Sequence, residues 1–252
     1  RGRERSRHPK DILAEVEGLA KEGYKEITLL GQNVNSYLRA EKWKEEGKEY
    51  EGINSFATLL RAINKIDGIE RIRFVSPHPK DFTDDVIEAI KDCDKVCKLV
   101  HLPLQSGSTE VLKRMNRKYT KELYLDLATK IKEKVPDVSF STDIIVGFPG
   151  ETEEDFQETL SLAEYCKYDN AFTFIFSARE GTPACKLKDE VDIKTKEERL
   201  YRLNDVVNKY FLENNKKLEG KTLKVLVEGV SEKKDMYYGY SETNKLINFV
   251  GE

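Results

Sequence analysis

Five short apolar segments along this chain each end in a cluster of Gly, Pro, Asn, Gln, Ser or His residues. Within the segments, β-branched and aromatic residues follow one another or alternate with polar ones, which is typical of β-strands. The predicted strands are residues 26–30, 71–75, 98–104, 141–146 and 171–176. Parallel strands of an α/β barrel collect chemical groups at their C-terminal ends, so the repeated clusters predict a functional edge.

Segments with helical periodicity separate the five strands. They cover residues 9–22, 55–66, 83–92, 108–116, 120–134 and 152–167. Strand, loop and helix therefore repeat along the chain, and this order predicts parallel strands joined by crossover helices, an α/β fold. A longer amphipathic helix is predicted at 194–216, with a buried stripe of Leu200, Leu203, Val207, Tyr210 and Phe211.

After Gly220 the apolar period changes to two, through Leu223, Val225 and Val227. This alternation predicts the start of a small β unit, so we expect two domains, residues 1–218 and 219–252. Residues 38–52 are rich in Lys and Glu and interrupt the first crossover. We interpret them as a solvent-exposed insertion, a solvated excursion from the fold.

Composition narrows the class of protein. A chain of 252 residues suffices for one large α/β domain with a small appendage, and 38% hydrophobic with 35% charged residues is typical of a soluble globular protein. No apolar run is long enough to cross a bilayer and no signal peptide is present, so we expect a cytoplasmic location and no membrane partner. The net charge of −3 does not by itself indicate a nucleic-acid partner.

The candidate functional groups are polar residues in the strands and at their ends. Gly-rich turns at 105–108 and 147–152 precede predicted helices, where backbone amides can bind an anion or a nucleotide edge, although any α/β fold uses such turns. Asp143 and His101 lie in or beside strands and are costly there unless they are paired. Cys93 and Cys97 supply too few ligands for a zinc or iron–sulfur site, so we interpret them as buried structural cysteines.

Six ordered motifs, spread over nearly the whole chain, closely resemble the radical S-adenosylmethionine methylthiotransferases. They are residues 29–37 (LLGQNVNSY), 76–82 (SPHPKDF), 101–108 (HLPLQSGS), 112–117 (LKRMNR), 141–152 (STDIIVGFPGET) and 176–184 (FSAREGTPA). The likeness is greatest to the MiaB-type enzymes, which act on tRNA. Asn33 and Asn35 favour that branch, because the branch that modifies a ribosomal protein usually carries Asp-Thr-Thr there.

The resemblance implies both a fold and an activity. The fold is a partial (β/α)6 half-barrel that lacks its first strand, followed by the start of a small TRAM-like β domain. Such enzymes add a methylthio group to the adenine of isopentenyladenosine beside the tRNA anticodon, using S-adenosylmethionine and two [4Fe-4S] clusters. An unactivated aromatic C–H bond offers no acidic proton, so a radical must open it. The implied partners are S-adenosylmethionine and the tRNA anticodon stem-loop, and we expect a monomer.

By the same resemblance, the cofactor-binding residues lie at the strand ends. They are Gly31, Gln32, Asn33 and Ser76 at the first two strands, Gln105, Ser106, Lys113 and Arg114 after the third, Asp143 and Gly147 at the fourth, and Phe174 and Ser177 at the fifth. The first three would lie near the methionine amino group, and the 105–106 pair near the ribose and carboxylate. Lys113 or Arg114 would pair with that carboxylate. Gly147 and the 174–177 segment would contact the adenine, where Glu151 stands one residue later than the Glu of the family's pattern.

The beginning of the sequence departs from the family. In relatives, Cys-x3-Cys-x2-Cys holds the radical cluster in a loop that runs directly into Arg-Gly-Arg-Glu, and this sequence starts with those four residues at Arg1. We therefore expect the cluster cysteines to lie upstream of Arg1. The chain would then be part of a longer enzyme, bind no iron–sulfur cluster by itself and be inactive, with its catalytic residues unassigned. Two alternatives stay open: the ribosomal-protein branch of the family, and an RNA-binding module that never held a cluster.

Overall fold

The computed structural model of the protein describes residues 5–38, 50–232 and 235–251. Its helices in these residues are α1 (Pro9–Lys21), α2 (Phe56–Ile63), α3 (Asp84–Asp92), α4 (Thr109–Arg114), α5 (Lys121–Lys134), α6 (Glu153–Cys166) and α7 (Ile193–Lys216). Its strands are β1 (Glu26–Leu29), β2 (Arg71–Phe74), β3 (Leu99–His101), β4 (Ser139–Val146), β5 (Asn170–Ile175), β6 (Val225–Val230), β7 (Tyr237–Ser241) and β8 (Leu246–Phe249). The predicted alternation of strands and helices is confirmed.

The structure divides into two compact units. Unit 1 takes the described parts of residues 1–99, 134–138 and 220–252, and unit 2 takes residues 100–133 and 139–219. Residues 220–252 are grouped here with unit 1, whereas the predicted boundary separates 219–252 from all that precedes it. That domain boundary therefore stays a prediction.

In unit 1, β1 and β2 are parallel, with Ile27 opposite Ile72, and Val96 forms a further parallel bridge to Ile72. One face of β2 is buried through Ile72 and Phe74. The ring of Phe56, at the start of α2, meets the ring of Phe74 edge to face at 5.3 Å. Helix α2 begins there because Ser55 accepts a hydrogen bond from the backbone N–H of Thr58, which satisfies an otherwise unpaired amide of the first turn.

The C-terminal residues of unit 1 form the antiparallel sheet β6–β7–β8. The change to a period of two therefore correctly predicts a small β unit. Arg71 on β2 donates to the carbonyl oxygens of Tyr240 (2.7 Å) and Lys224 (2.8 Å), and Arg73 donates to that of Ser241 (2.9 Å). The sheet is thus joined to β2 by charged donors on backbone acceptors.

In unit 2, the strands lie in the order β3–β4–β5, and β4 and β5 are parallel. Strand β3 is shorter than the predicted 98–104, because Pro103 has no N–H to donate to the ladder. Pairing with β4 resumes after the proline, where the N–H of Leu104 bonds the hydroxyl of Thr142 at 2.9 Å and Gln105 bridges to Ile144.

Helix α7 covers one face of this sheet. Thr173 of β5 donates to Asn204 of α7 at 2.7 Å, and the predicted stripe residues Leu203 and Val207 are buried. The prediction for Phe211 is wrong, since its side chain is 43% exposed near the end of the helix. The buried stripe instead continues toward the start of α7 through two long cations, Lys196 and Arg199.

Three further expectations concern the chain's start, its surface and the membrane. Arg1, upstream of which the cluster cysteines are expected, lies outside the described residues, so that expectation stays a prediction. Residues 39–49 of the 38–52 excursion also lie outside them, so its solvation stays a prediction too. None of the helices in the described part of the chain is both long and apolar enough to cross a lipid bilayer.

Candidate functional site

The loops after β1 and β2 meet in unit 1. Asn33 and Ser76 both adopt left-handed backbone conformations, with φ of 52° and 58°. The N–H of Val34 donates to the carbonyl oxygen of Ser76 at 3.3 Å, which joins the two loops directly. The structure therefore brings together four of the predicted cofactor-binding residues, Gly31, Gln32, Asn33 and Ser76, by local turns and one shared hydrogen bond.

Asn35 strengthens this junction. Its amide donates to the carbonyl oxygen of His78 at 3.0 Å, and the backbone N–H of His78 donates back to Asn35 Oδ1 at 2.8 Å. The side chain of Asn35 is buried. This residue, which the sequence offers as a mark of the tRNA branch, thus holds the two loops together.

Gln105 occupies the turn after β3 in unit 2. Its φ of 66° is left-handed, and its N–H and C=O continue the pairing with β4 by bonds to Asp143 (2.8 Å) and Ile145 (2.9 Å). Its side-chain oxygen accepts a hydrogen bond from Arg117 at 2.8 Å. Gln105 and Arg117 therefore form a polar pair directly beyond the strand end.

Arg117 reaches this position because of the way α4 ends. Asn116 takes a left-handed conformation, its N–H bonds the carbonyl of Lys113, and the N–H of Arg117 bonds the carbonyl of Leu112. These two bonds form a Schellman motif, which turns the chain back after the last helical residue. Arg117 lies in the 112–117 motif but is not among the predicted cofactor-binding residues, and the Asn at the helix end was the available signal.

The two cations that the sequence favours have other surroundings. Arg114 pairs with Asp155 of α6 at 3.3 Å, and Lys113 is exposed. Although burial pushes the pKa of Asp155 upward, hydrogen bonds from Ser108 and the Thr152 N–H, together with Arg114, hold that pKa below its ordinary value. Arg114 thus links α4 to α6, so Arg117 is the cation that lies beside Gln105.

Ser106 is fully buried in this loop. Its hydroxyl accepts from the N–H of Ser108 at 3.2 Å and lies 3.5 Å from the hydroxyl of Thr159. At Gly107, an added Cβ would overlap the backbone of Thr159. Helix α6 thus packs directly against the loop, and the Ser106 side chain faces the interior, so any ligand contact by Ser106 would have to use its backbone.

The loop after β4 folds around a buried carboxylate. Glu151 accepts from the N–H of Gly147 at 2.9 Å and from Arg199 Nη1 at 2.9 Å, and Arg199 also donates to the Glu151 carbonyl at 3.1 Å. Burial raises the pKa of Glu151, while the Gly147 N–H and Arg199 act to lower it. Since both of these partners belong to the protein, Glu151 shapes the loop rather than presenting an acid to a ligand.

Lys196 closes one side of Gly147. A Cβ added at Gly147, whose φ is 69°, would overlap Cγ of Lys196. The ammonium group of Lys196 lies 5.8 Å from the centre of the Phe176 ring, and that ring meets Phe148 edge to face at 4.9 Å. A cofactor can therefore contact the Gly147 backbone only from the side away from α7.

The other predicted residues lie on the sheet face away from α7 or at its edge. Asp143 on β4 pairs with His101 on β3, and His101 also bonds Ser141, so the expectation that His101 and Asp143 must be paired is confirmed. Phe174 on β5 is 52% exposed, and Ser177 beyond β5 is exposed.

These side chains fit the chemistry of S-adenosylmethionine. The cofactor offers a carboxylate, ribose hydroxyls and an adenine ring. In unit 2 the guanidinium of Arg117 can pair with a carboxylate, the amide of Gln105 can bond a hydroxyl, and the half-exposed ring of Phe174 can cover a purine. Gln105 follows β3 and has Arg117 beside it, and Phe174 lies in the C-terminal half of β5. Ligands of α/β folds are expected at such strand ends.

The cysteines do not form a metal site in the described residues. Cys93 and Cys97 are free and buried, and burial raises the pKa of the Cys97 thiol to about 11. Burial also raises the pKa of the Cys93 thiol, and the expected burial of both cysteines is confirmed. Among the described residues, no group of three or more His, Cys, Asp or Glu side chains could hold a metal ion.

The chain is similar to known proteins over its whole length. The family model of the radical SAM superfamily matches residues 1–163. Proteins named tRNA-2-methylthio-N(6)-dimethylallyladenosine synthase are similar over the whole chain: those of Clostridium botulinum (strain Langeland / NCTC 10281 / Type F) and Clostridium tetani (strain Massachusetts / E88) are each 56% identical over 100% of this chain and 54% of the relative. The chain thus spans about half the length of these curated relatives.

A solved structure supports the fold alone. Coproporphyrinogen III oxidase (HemN) from Escherichia coli, described as a radical SAM enzyme, superposes with a TM-score of 0.52 at 16% identity, covering 95% of this chain and 64% of that one. The family model covers well over half of the 252 residues, and the parallel strands with their strand-end loops agree with it. The chain belongs to the radical SAM superfamily.

Proposed function

We propose that this chain is the S-adenosylmethionine-binding core of a tRNA methylthiotransferase. In this proposal, a protein of the relatives' length adds a methylthio group to a dimethylallyl-bearing adenosine next to the tRNA anticodon and works as a cytoplasmic monomer. The observation that carries the proposal is the sequence identity of 55–56%, over the full chain, to proteins named tRNA-2-methylthio-N(6)-dimethylallyladenosine synthase.

The chain's own residues would bind and orient the cofactor. The guanidinium of Arg117 would hold its carboxylate, Gln105 its ribose, and the 174–177 segment its adenine. The loops after β1 and β2 in unit 1, which Asn35 holds together, stay predicted cofactor-binding segments. When bound with an iron–sulfur cluster, S-adenosylmethionine supplies a radical able to remove hydrogen from an unactivated aromatic carbon.

The activity is tested with a protein of the relatives' length, loaded with iron and sulfide under anaerobic conditions. It is incubated with S-adenosylmethionine, a reductant and an anticodon stem-loop that carries dimethylallyladenosine. We expect the methylthio nucleoside to appear in digests analysed by mass spectrometry. Modification of a ribosomal protein with none of the RNA would overturn the proposal in favour of the ribosomal-protein branch.

Cofactor binding is tested on this chain by equilibrium dialysis with labelled S-adenosylmethionine. Because Arg117 lies beside Gln105, we expect Arg117→Met to weaken binding about tenfold, which corresponds to loss of one charge-assisted bond of about 1.5 kcal/mol. Lys113→Met is the matched control, since it removes an exposed cation from the same segment. The reverse pattern would favour Lys113 as the carboxylate partner.

A further inference from the structure

The side chains of a polar cluster on the sheet of unit 2 bond one another rather than the cofactor loops. The ring of His101 lies between two residues of β4: Nδ1 is 2.9 Å from Ser141 Oγ, and Nε2 is 3.4 Å from Asp143 Oδ2. A neutral imidazole satisfies both contacts if Ser141 donates to Nδ1 and the Nε2–H donates to Asp143. His101 thereby fixes one carboxylate oxygen of Asp143, and the other oxygen can accept a further hydrogen bond.

The register of β4 and β5 puts an aromatic ring beside this cluster. Asp143 is directly opposite Phe172 in the parallel pair, and the Phe172 ring lies 6.2 Å from that of His101. Thr173 points the other way, because its hydroxyl bonds Asn204 of α7. Phe172 therefore lies on the sheet face away from α7, and its side chain is 50% exposed.

An exposed ring next to an oriented carboxylate has the chemistry of a nucleobase site. Phenylalanine rings stack on bases, and a carboxylate accepts hydrogen bonds from an exocyclic amine. The ring of Phe174, which the family resemblance gives to the cofactor, is two residues further along β5, or about 7 Å. A base held at Phe172 would thus lie next to the bound cofactor, as the reacting partner of that cofactor must.

We propose that Phe172 and Asp143 receive the dimethylallyl-adenine of the RNA and that His101 positions Asp143. This inference rests on the proposed function. The Phe172 ring would cover the purine and its five-carbon apolar substituent. Asp143 would accept the N6–H of adenine, whereas guanine presents a carbonyl oxygen at that position and would be rejected by the carboxylate.

The test uses this chain and three anticodon stem-loops that differ only in the target base, which is dimethylallyladenosine, adenosine or guanosine. Binding is measured by fluorescence anisotropy at one fixed salt concentration, because phosphate contacts depend on salt. We expect the dimethylallyl RNA to bind about tenfold more tightly than the adenosine RNA, and the adenosine RNA more tightly than the guanosine RNA. Affinity ratios are compared, so a partly unfolded variant, which weakens all three RNAs alike, leaves the ratios unchanged.

Phe172→Ala should reduce the dimethylallyl-to-adenosine ratio to about one, and Asp143→Asn should reduce the adenosine-to-guanosine ratio. Tyr201→Ala is the matched control, because Tyr201 is an aromatic residue of unit 2 that is 70% exposed on α7, and it should keep both ratios. The inference is overturned if the unaltered chain shows no preference among the RNAs, or if Phe172→Ala retains the dimethylallyl preference. The methylthio product is measured separately, in the longer protein. If the product forms but this chain shows no preference among the RNAs, only this inference is refuted. If the chain shows the preference but no product forms, only the proposed activity is refuted.

Discussion

Breaking the buried ion pair between Glu151 and Arg199 should destabilise the loop after β4 more than any surface ion pair could. The two side chains are only 1% and 5% exposed. Arg199 Nη1 makes both of its bonds to Glu151, one to the carboxylate and one to the backbone carbonyl. Its removal leaves the buried carboxylate with the hydrogen bond from the N–H of Gly147.

The expected loss of unfolding free energy follows from the isolation of the Glu151 carboxylate. Removing one partner of a buried, hydrogen-bonded pair typically costs about 3–5 kcal/mol, because the other charge stays buried without compensation. Arg199→Met keeps much of the side-chain volume but removes the charge and both hydrogen bonds to Glu151, so we expect a loss in this range. Glu151→Gln should cost less, about 1.5–3 kcal/mol, since the amide oxygen can still accept from Gly147 and Arg199 also lies 3.5 Å from Glu153.

Arg202→Met provides the matched control. Arg202 lies three residues further along α7 and pairs with Glu153 and Glu198, but its side chain is 34% exposed. Exposed pairs contribute about 0.2–1 kcal/mol, so the control should stay within that range. The double variant Arg199→Met with Glu151→Gln should recover part of the loss, because no unpaired charge then remains.

Urea unfolding followed by circular dichroism measures these differences. The loss of unfolding free energy in Arg199→Met should shrink as the pH falls toward 4.5, the ordinary pKa of a glutamate. Burial raises the folded-state pKa of Glu151, so near that pH the carboxyl is protonated and no unpaired charge is buried. A loss below about 1 kcal/mol at neutral pH, equal to that of the control, would refute the reasoning.

Three further changes test other contacts. Replacing Arg71 and Arg73 by Met removes charged donors to β6–β8 carbonyls, so amide exchange in that sheet should rise severalfold by mass spectrometry, and unchanged exchange would contradict their role. Gly147→Ala should lower the free energy of unfolding for two reasons: the left-handed φ costs an alanine about 1–2 kcal/mol, and the added Cβ overlaps Lys196. In urea unfolding, adding Lys196→Ala should recover only the loss that comes from the overlap. Asp155→Asn should lower the free energy of unfolding by its whole amount above pH 3.8, and this loss should vanish as the pH falls through the lowered folded-state pKa of Asp155. A loss that does not depend on pH would contradict the role of the ionised carboxylate.

The elements could be predicted because their signals are local. Strand alternation, helical periodicity and residues such as Ser55 at a helix start act within a few positions, and the observed elements match the predictions closely. Strand β3 is the instructive exception, since Pro103 interrupts its ladder although the surrounding residues are apolar. Phe211 is a second, because periodicity indicates which face of a helix is apolar but not where the neighbouring sheet ends.

The partners that shape the site could not be predicted, because they come from distant parts of the chain. Glu151 and Arg199 are 48 residues apart, and Gly147 is closed on one side by Lys196. Nothing in the local sequence of α7 distinguishes these two cations from the solvated Lys and Arg residues around them. Only the packing of α7 on the β4–β5 face selects them.

Membership of a family motif does not by itself show that a side chain touches a ligand. Asn35, Ser106 and Glu151 all lie in the motifs that identify the family, yet each is buried and bonded to the protein itself. Such residues hold the loop in one conformation, so changing them should alter stability and ligand affinity together. Arg117 and Phe172 differ from them, because their polar or aromatic surfaces lie beside strand ends and strand faces that a ligand can reach. Substitutions there should change binding while stability stays nearly constant, and this difference separates ligand contacts from loop supports.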